Sequence, residues 1–204
     1  AQLKTINAAT DDTVTLNAQT IAANFSDTAA NLTSAFTGIT SHSGTLTLTD
    51  GVAATIAQLK TINAATDDTV TLNAATIAAN YSDTVANLTS AFAGITSHTG
   101  TIEVTGTAPT VAQANTLDAV TAGVITATVQ DDATTLATLT GTGNAYTITL
   151  DNDDAATIAE LVTINAATTG SITLNAQTIA ANLTGSAADL ASAFTGITSH
   201  SGTL

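Results

Sequence analysis

The sequence predicts an α/β fold: a parallel repeat solenoid of strand–turn–helix coils of about 23–32 residues. An all-β parallel β-helix is the alternative. Three observations lead there. The chain repeats itself, strand-like runs of alternating Thr and aliphatic residues recur along it, and segments with helical spacing lie between those runs.

The repetition is near-literal. AQLKTINAATDDTVTLNA begins at Ala1 and again at Ala57. Residues 1–48 and 57–104 agree at 40 of 48 positions, and residues 159–204 agree with 1–46 at 34 of 46. A divergent stretch, VAQANTLDAVTAGVITATV, stands between them. The units are 1–56, 57–111, 112–158 and 159–204, read as one solenoid. Ala1 aligns with the middle of VAATIAQLK and Leu204 with the middle of TLTLT, with no capping sequence at either. Because solenoids need polar caps, the expectation is a window truncated at both ends from a longer array.

Strands are expected at 13–17, 45–48, 69–73, 101–104, 124–129, 146–150, 171–175 and 203–204. Val14, Leu46, Val70, Ile102, Ile125, Ile148, Ile172 and Leu204 occupy matching positions, so longer and shorter coils alternate except in the divergent unit, where both are short. Alternation sets the phase: Val14/Leu16, Val70/Leu72 and Ile172/Leu174 point inward, and Thr15, Thr71 and Thr173 outward.

Helices are expected where apolar residues follow a 3-4-3 spacing. These are Ala29/Leu32/Phe36/Ile39, Val85/Leu88/Phe92/Ile95 and Ala187/Leu190/Phe194/Ile197. Ser82 or Asp83 is the expected N-cap of the second, with Gly94 near its end. Ile56/Leu59/Ile62 and Ile158/Leu161/Ile164 mark a second helix class, broken by Asp67-Asp68 and Thr169-Gly170.

Composition narrows the function. Lys4 and Lys60 are the only Lys or Arg residues, against 16 Asp and Glu, for a net charge of −14. Nucleic-acid binding needs cations for phosphate and is excluded as an expectation. No apolar run approaches the roughly 20 residues that span a bilayer, so no membrane insertion is expected. Without Cys, disulfide and thiolate–metal chemistry is out. Aromatics make up 3% and Thr fills 47 positions, so the core must be thin and aliphatic.

Candidate chemistry is sparse. His42, His98 and His200 share one slot, GITSH(S/T)G, just before a strand. Two coils apart, His42 and His98 would be about 10 Å from each other, too far to share one zinc ion. They read as turn residues that bond locally. Asp11-Asp12, Asp67-Asp68, Asp131-Asp132 and Asp151 with Asp153-Asp154 are the carboxylate candidates. Tandem repetition is the opposite of a unique glycosidase pair, but Asp-rich turns offer the oxygen ligands that Ca²⁺ takes. These residues are therefore the calcium candidates, beside a purely structural reading as turns and helix caps. Five N-x-S/T sequons, at Asn24, Asn31, Asn80, Asn87 and Asn182, are what an Asn/Thr-rich chain produces by chance. Neither a GxSxG elbow nor a GxxxxGK[ST] loop occurs, and no enzyme activity is expected.

Asn115-Thr116-Leu117-Asp118 and Thr134-Thr135-Leu136-Ala137-Thr138-Leu139-Thr140-Gly141 resemble recurring motifs of giant secreted and cell-surface proteins of bacteria, notably cyanobacteria. The resemblance covers the divergent unit and extends to the others by analogy. It implies an extracellular, surface or filament-forming role and no catalytic residues. The expected function is a structural module of a sheath, fibre, surface layer or adhesin stalk that assembles with itself. The alternative is an adhesive module whose Thr-rich faces bind glycan or another surface.

Overall fold

In the computed structural model, residues 1–151 and 154–204 are described, and they form mixed α/β structure with parallel strands. The chain divides into two compact units, Ala1–Gly100 with Val120–Gly123, and Thr101–Ala119 with Val124–Leu204. Helices occupy the first part of each 3-4-3 segment and end before Ile39, Ile95 and Ile197; the all-β alternative does not describe this chain.

The first unit contains α1 (Gln2–Asn7), α2 (Ala18–Ile21), β1 (Phe25–Asp27), α3 (Ala29–Phe36), β2 (Leu46–Leu48), α4 (Ile56–Ala65), β3 (Val70–Thr71), α5 (Ala74–Ala78), β4 (Tyr81–Thr84) and α6 (Val85–Ala91). β1, β2 and β3 pair in parallel in that order, with Phe25 opposite Leu46 and Leu46 opposite Val70. Helices α1, α3, α4 and α6 pack successively against one another. Each of the first two repeats therefore contributes two helices to this layer. Leu32, Phe36, Leu46, Leu59, Ile62, Leu88 and Phe92 are buried between helices and strands.

The second unit contains β5 (Ile102–Thr105), α7 (Val111–Asp118), β6 (Ile125–Asp131), α8 (Ala133–Leu136), β7 (Ala145–Leu150), α9 (Ile158–Ala167), β8 (Ile172–Thr173), α10 (Ala176–Ala180) and α11 (Ala187–Ala193). β5, β6, β7 and β8 pair in parallel in chain order. α8 and α11 pack on α9, and Ile125, Leu136, Tyr146, Ile148, Leu161 and Ile164 fill the core.

Thr and Asn are abundant because each short helix must satisfy its first backbone N–H groups locally. Among the described residues every helix after α1 opens on a side-chain cap: Asn17, Thr28, Thr55, Asn73, Thr84, Thr110, Asp132, Thr157, Asn175 and Ser186. Thr55–Gln58, Thr110–Gln113 and Thr157–Glu160 form reciprocal capping boxes. Thr84, rather than Ser82 or Asp83, caps α6. Asp83 Oδ1 instead accepts from the Thr84 N–H and from Asn87 Nδ2, and Gly94 takes φ +73° past the helix end.

The expected phase holds in burial, within strands and beside them. Val70, Leu72, Leu16 and Leu174 are buried, Val14 and Ile172 half-buried, and Thr15, Thr71 and Thr173 exposed. Three strand expectations are corrected. Residues 13–17 and 203–204 are not strands. The first stretch forms strand in its copies β3 and β8, where β2 or β7 lies beside it. Phe25–Asp27 and Tyr81–Thr84 are strands that alternation did not predict. And Ile148 lies opposite Val129 rather than Ile125, because β6 continues to Asp131 and β7 pairs along its far end. Val129 and Ile125 lie on the same side of β6, so the buried face is kept.

The longer coils now have a cause. β3 pairs backward onto β2, while β1, the copy of β4 in the preceding repeat, pairs forward onto β2. The long repeat segment thus carries two strand positions, separated by a short capped helix (α2, α5 or α10). In the second unit Leu183 stands at the β1 position, and its N–H bonds the Thr203 carbonyl at 2.9 Å. Leu190, Phe194 and Ile197 on the α11 side are half-buried and Ala187 exposed, unlike their buried copies in the first unit.

Candidate functional site

The histidines occupy equivalent seats. His42 and His98 are 0% and 1% exposed. His42 lies 5.4 Å from the Phe25 ring and 5.0 Å from Phe36; His98 lies 5.5 Å from Tyr81 and 4.9 Å from Phe92. His200, half-buried, lies 4.9 Å from Phe194. A strand side chain and a helix-end side chain, brought together by β1 and α3 or by β4 and α6, build the first two seats. The backbone of each bridges in parallel to a buried Thr, His42 to Thr66 and His98 to Thr121. Asn144 holds the same position against Thr168.

Their polar environments differ. His98 Nε2 donates to the Ala79 carbonyl at 2.9 Å, and Nδ1 lies 3.0 Å from Thr121 Oγ1. That hydroxyl also lies 2.7 Å from the Gly100 carbonyl, so its single proton serves either Gly100 or the ring. His200 Nδ1 donates to the Thr178 carbonyl at 3.1 Å. Among the described residues neither ring nitrogen of His42 has a hydrogen-bond partner. Burial holds both His42 and His98 below the ordinary histidine range. For His42, the nearby Thr20 carbonyl, outside bonding geometry, and the exposed Asp68 oppose this less strongly.

The two lysines hold identical triads. Lys4 Nζ donates to Asn31 Oδ1 and Asn31 Nδ2 to Asp27 Oδ1, both at 2.8 Å. Lys60, Asn87 and Asp83 repeat the arrangement at 2.5 and 2.7 Å. The Asn hydrogen bond is the main cause that lowers each Asp, followed by the bond from the next backbone N–H. The third copy carries Val162, Asp189 and Gly185 at these positions. All three members change together, so the triad is one unit. NMR titration of Asp83 should show its pKa rising toward the ordinary carboxylate value in Asn87→Ala, and rising less in Lys60→Met. An equal or larger rise in Lys60→Met would mean the charge, not the amide, sets this carboxylate.

The carboxylate candidates are used locally. Asp12 and Asp68 sit in turns whose backbone N–H groups bond Thr10 and Thr66 hydroxyls, and Asp68 Oδ1 accepts from the Thr69 N–H at 2.7 Å. Asp11 and Asp67 precede them, exposed. Asp132 caps α8, Asp131 accepts from the Asp132 N–H, and Asp151 accepts from Gln130 Nε2. The β6–β7 register sets Asp131 opposite Leu150, and the next N–H, of Asp151, bonds the Asp131 carbonyl at 3.2 Å. The Asp154 carbonyl accepts from Asn175 Nδ2, and Asp153 lies outside the described residues. Among the described residues no three His, Asp or Glu side chains gather as an ion would require.

Sequence reasoning missed the polar contacts that join successive repeat segments. Asn63 Nδ2 donates to the Ser90 and Ala93 carbonyls at 3.2 and 2.9 Å; Asn7 and Asn165 do the same toward Ser34 and Thr37, and toward Ala193 and Thr195. Each such Asn closes the C-terminal end of the next helix. Buried Thr76 and Thr178 accept from the Ala54 and Ala156 N–H groups. The signal was present in the repetition, but each partner stands a full coil further along the chain. That pairing is readable only once the helix layer is known.

No protein-family model matches the chain, nor does any curated protein or solved structure. Among the described residues no helix is long and apolar enough to cross a membrane.

Proposed function

We propose that the chain is a structural repeat module of a large extracellular surface or filament-forming protein, folded as a parallel α/β solenoid and assembling with itself. The observation that carries this reading is that polar junctions recur at equivalent positions from one repeat to another. Asn7, Asn63 and Asn165 close the following helix, and Lys4 and Lys60 the following triad. A surface that offers each neighbour what it received from the last is extensible without new chemistry. A module of this kind carries no catalytic role. Calcium bridging between chains through acidic turns such as Asp67-Asp68 belongs to the same proposal.

Electron microscopy of native material tests it. Continuous fibres with an axial repeat of about 10 Å for each two-coil unit support the reading. Isolated monomers overturn it, and bundles indifferent to chelator overturn the calcium part.

The second reading, an adhesive module, is favoured by the outward rows Ser26–Thr47–Thr71 and Thr128–Thr147, which the strand registers align. Specific glycan affinity of the isolated chain would select it.

A further inference from the structure

We propose that the histidine seats of the first unit are an acid-operated release: protonating His42, and then His98, frees the bridges that tie each to the next repeat segment. This stands apart from the functional reading above and holds whether the module is structural or adhesive.

The histidine backbones are the tie points. His42 N–H bonds the Ala65 carbonyl at 3.1 Å, and the Asp67 N–H bonds the His42 carbonyl at 3.1 Å. The Ala122 N–H likewise bonds the His98 carbonyl at 3.0 Å. Each ring is wedged between two aromatic rings directly beside these bonds. A neutral imidazole suits such a seat. An imidazolium there is a buried cation, and ring faces offset only part of its desolvation.

At His42 no acceptor among the described residues stands in bonding geometry to either ring nitrogen, and the Thr20 carbonyl and exposed Asp68 favour the charged ring less than burial opposes it, so opening the seat to water is its relief. At His98 the ring keeps the Ala79 carbonyl and gains Thr121 Oγ1 as acceptor, with the Thr121 proton turning to Gly100. The His42 seat therefore releases first. Asp68, from the turn between α4 and β3, is the charged group acting on His42, and it is exposed and screened. Tyr81 is the titratable group against His98; its hydroxyl donates to the Ala54 carbonyl at 2.7 Å, and burial keeps it neutral.

The sign follows from burial. Both histidines bind a proton less readily folded than unfolded, so their contribution is complete above about pH 6.5 and is lost as pH falls below it. Asp27, Asp83 and Glu160 have lowered values, and their contribution is lost only below the carboxylate range. The interval from about pH 6.5 to 4.5 belongs to the histidines.

Native-state hydrogen exchange on the whole chain tests the release. The protection factor of the Asp67 amide should fall by up to about tenfold per pH unit below 6.5, that of Ala122 should fall later, and amides between β6 and β7 should stay level. His42→Asn, using the residue that naturally occupies the Asn144 seat, should flatten the Asp67 response and leave that of Ala122. If that variant does not fold, ring NMR of the unaltered chain decides. The His42 ring should gain its proton only as Asp67 protection is lost. An ordinary midpoint near 6.5 with Asp67 still protected overturns the proposal, as does a level Asp67 profile from pH 6.5 to 4.5.

Discussion

Gly100→Ala is expected to destabilise the first unit by about 3 kcal/mol, toward the upper end for overpacking. A Cβ on Gly100 would lie 1.9 Å from the Ala79 carbonyl oxygen and 2.6 Å from its carbon. Both are backbone atoms of the neighbouring strand–helix segment, so neither can rotate away. The same approach recurs at Gly44 against Ala23 and at Gly202 against Ala181, so a glycine stands at each of these close approaches. Gly51 supplies the control, since its added Cβ meets nothing within 4 Å. Thermal unfolding followed by circular dichroism should show a drop on the order of 6–12 °C for Gly100→Ala and little change for Gly51→Ala. Equal melting of the two variants would mean that segments are not held at this distance.

Val70→Asp is expected to cost several kcal/mol and unfold the first unit, whereas Thr71→Asp stays within about 0.5 kcal/mol of the parent. Val70 is 7% exposed and lies opposite the fully buried Leu46; Thr71 is exposed opposite Thr47. One residue of register separates a buried unpaired carboxylate from a solvated one. Chemical denaturation of both variants checks it, and comparable midpoints would place the alternation on the wrong face.

The strands that could be read from sequence are those whose own side chains alternate. Ile102–Thr105, Ile125–Asp131 and Ala145–Leu150 carry β-branched and apolar residues on one face, and that pattern is local. Phe25–Asp27 and Tyr81–Thr84 were not legible, because FSD and YSDT carry one apolar residue and a turn-forming Asp each. Pairing with Leu46–Leu48 makes Phe25–Asp27 a strand, and pairing is a property of the neighbour. The opposite error at 13–17 has the same origin: good strand residues without a strand beside them stay irregular.

The helix faces were legible because the spacing begins inside each helix, with Ala29, Leu32 and Phe36 on α3 and Val85 and Leu88 on α6, while Ile39 and Ile95 follow the helix ends. The shorter α2, α5 and α10 were not, at about one turn each, and their Asn caps are their main signal. Of the site, the shared histidine slot was visible in the repeats. The aromatic seat was not, because Phe25 reaches His42 from β1 and Phe36 from the end of α3, through pairing and helix packing. The Lys–Asn–Asp triads stayed hidden for the same reason.

The central claim is that the repeats extend one another by presenting the same junctions at every step. Inserting two further copies of residues 1–56 after Ile56 tests it directly, since Ala1 follows Ile56 as Ala57 does. Small-angle X-ray scattering of this longer chain should show the maximum dimension growing by about 20 Å at constant cross-section, two strand spacings of about 4.8 Å per copy. Growth in all directions as a larger globule, or as separate beads on a flexible chain, would contradict the account.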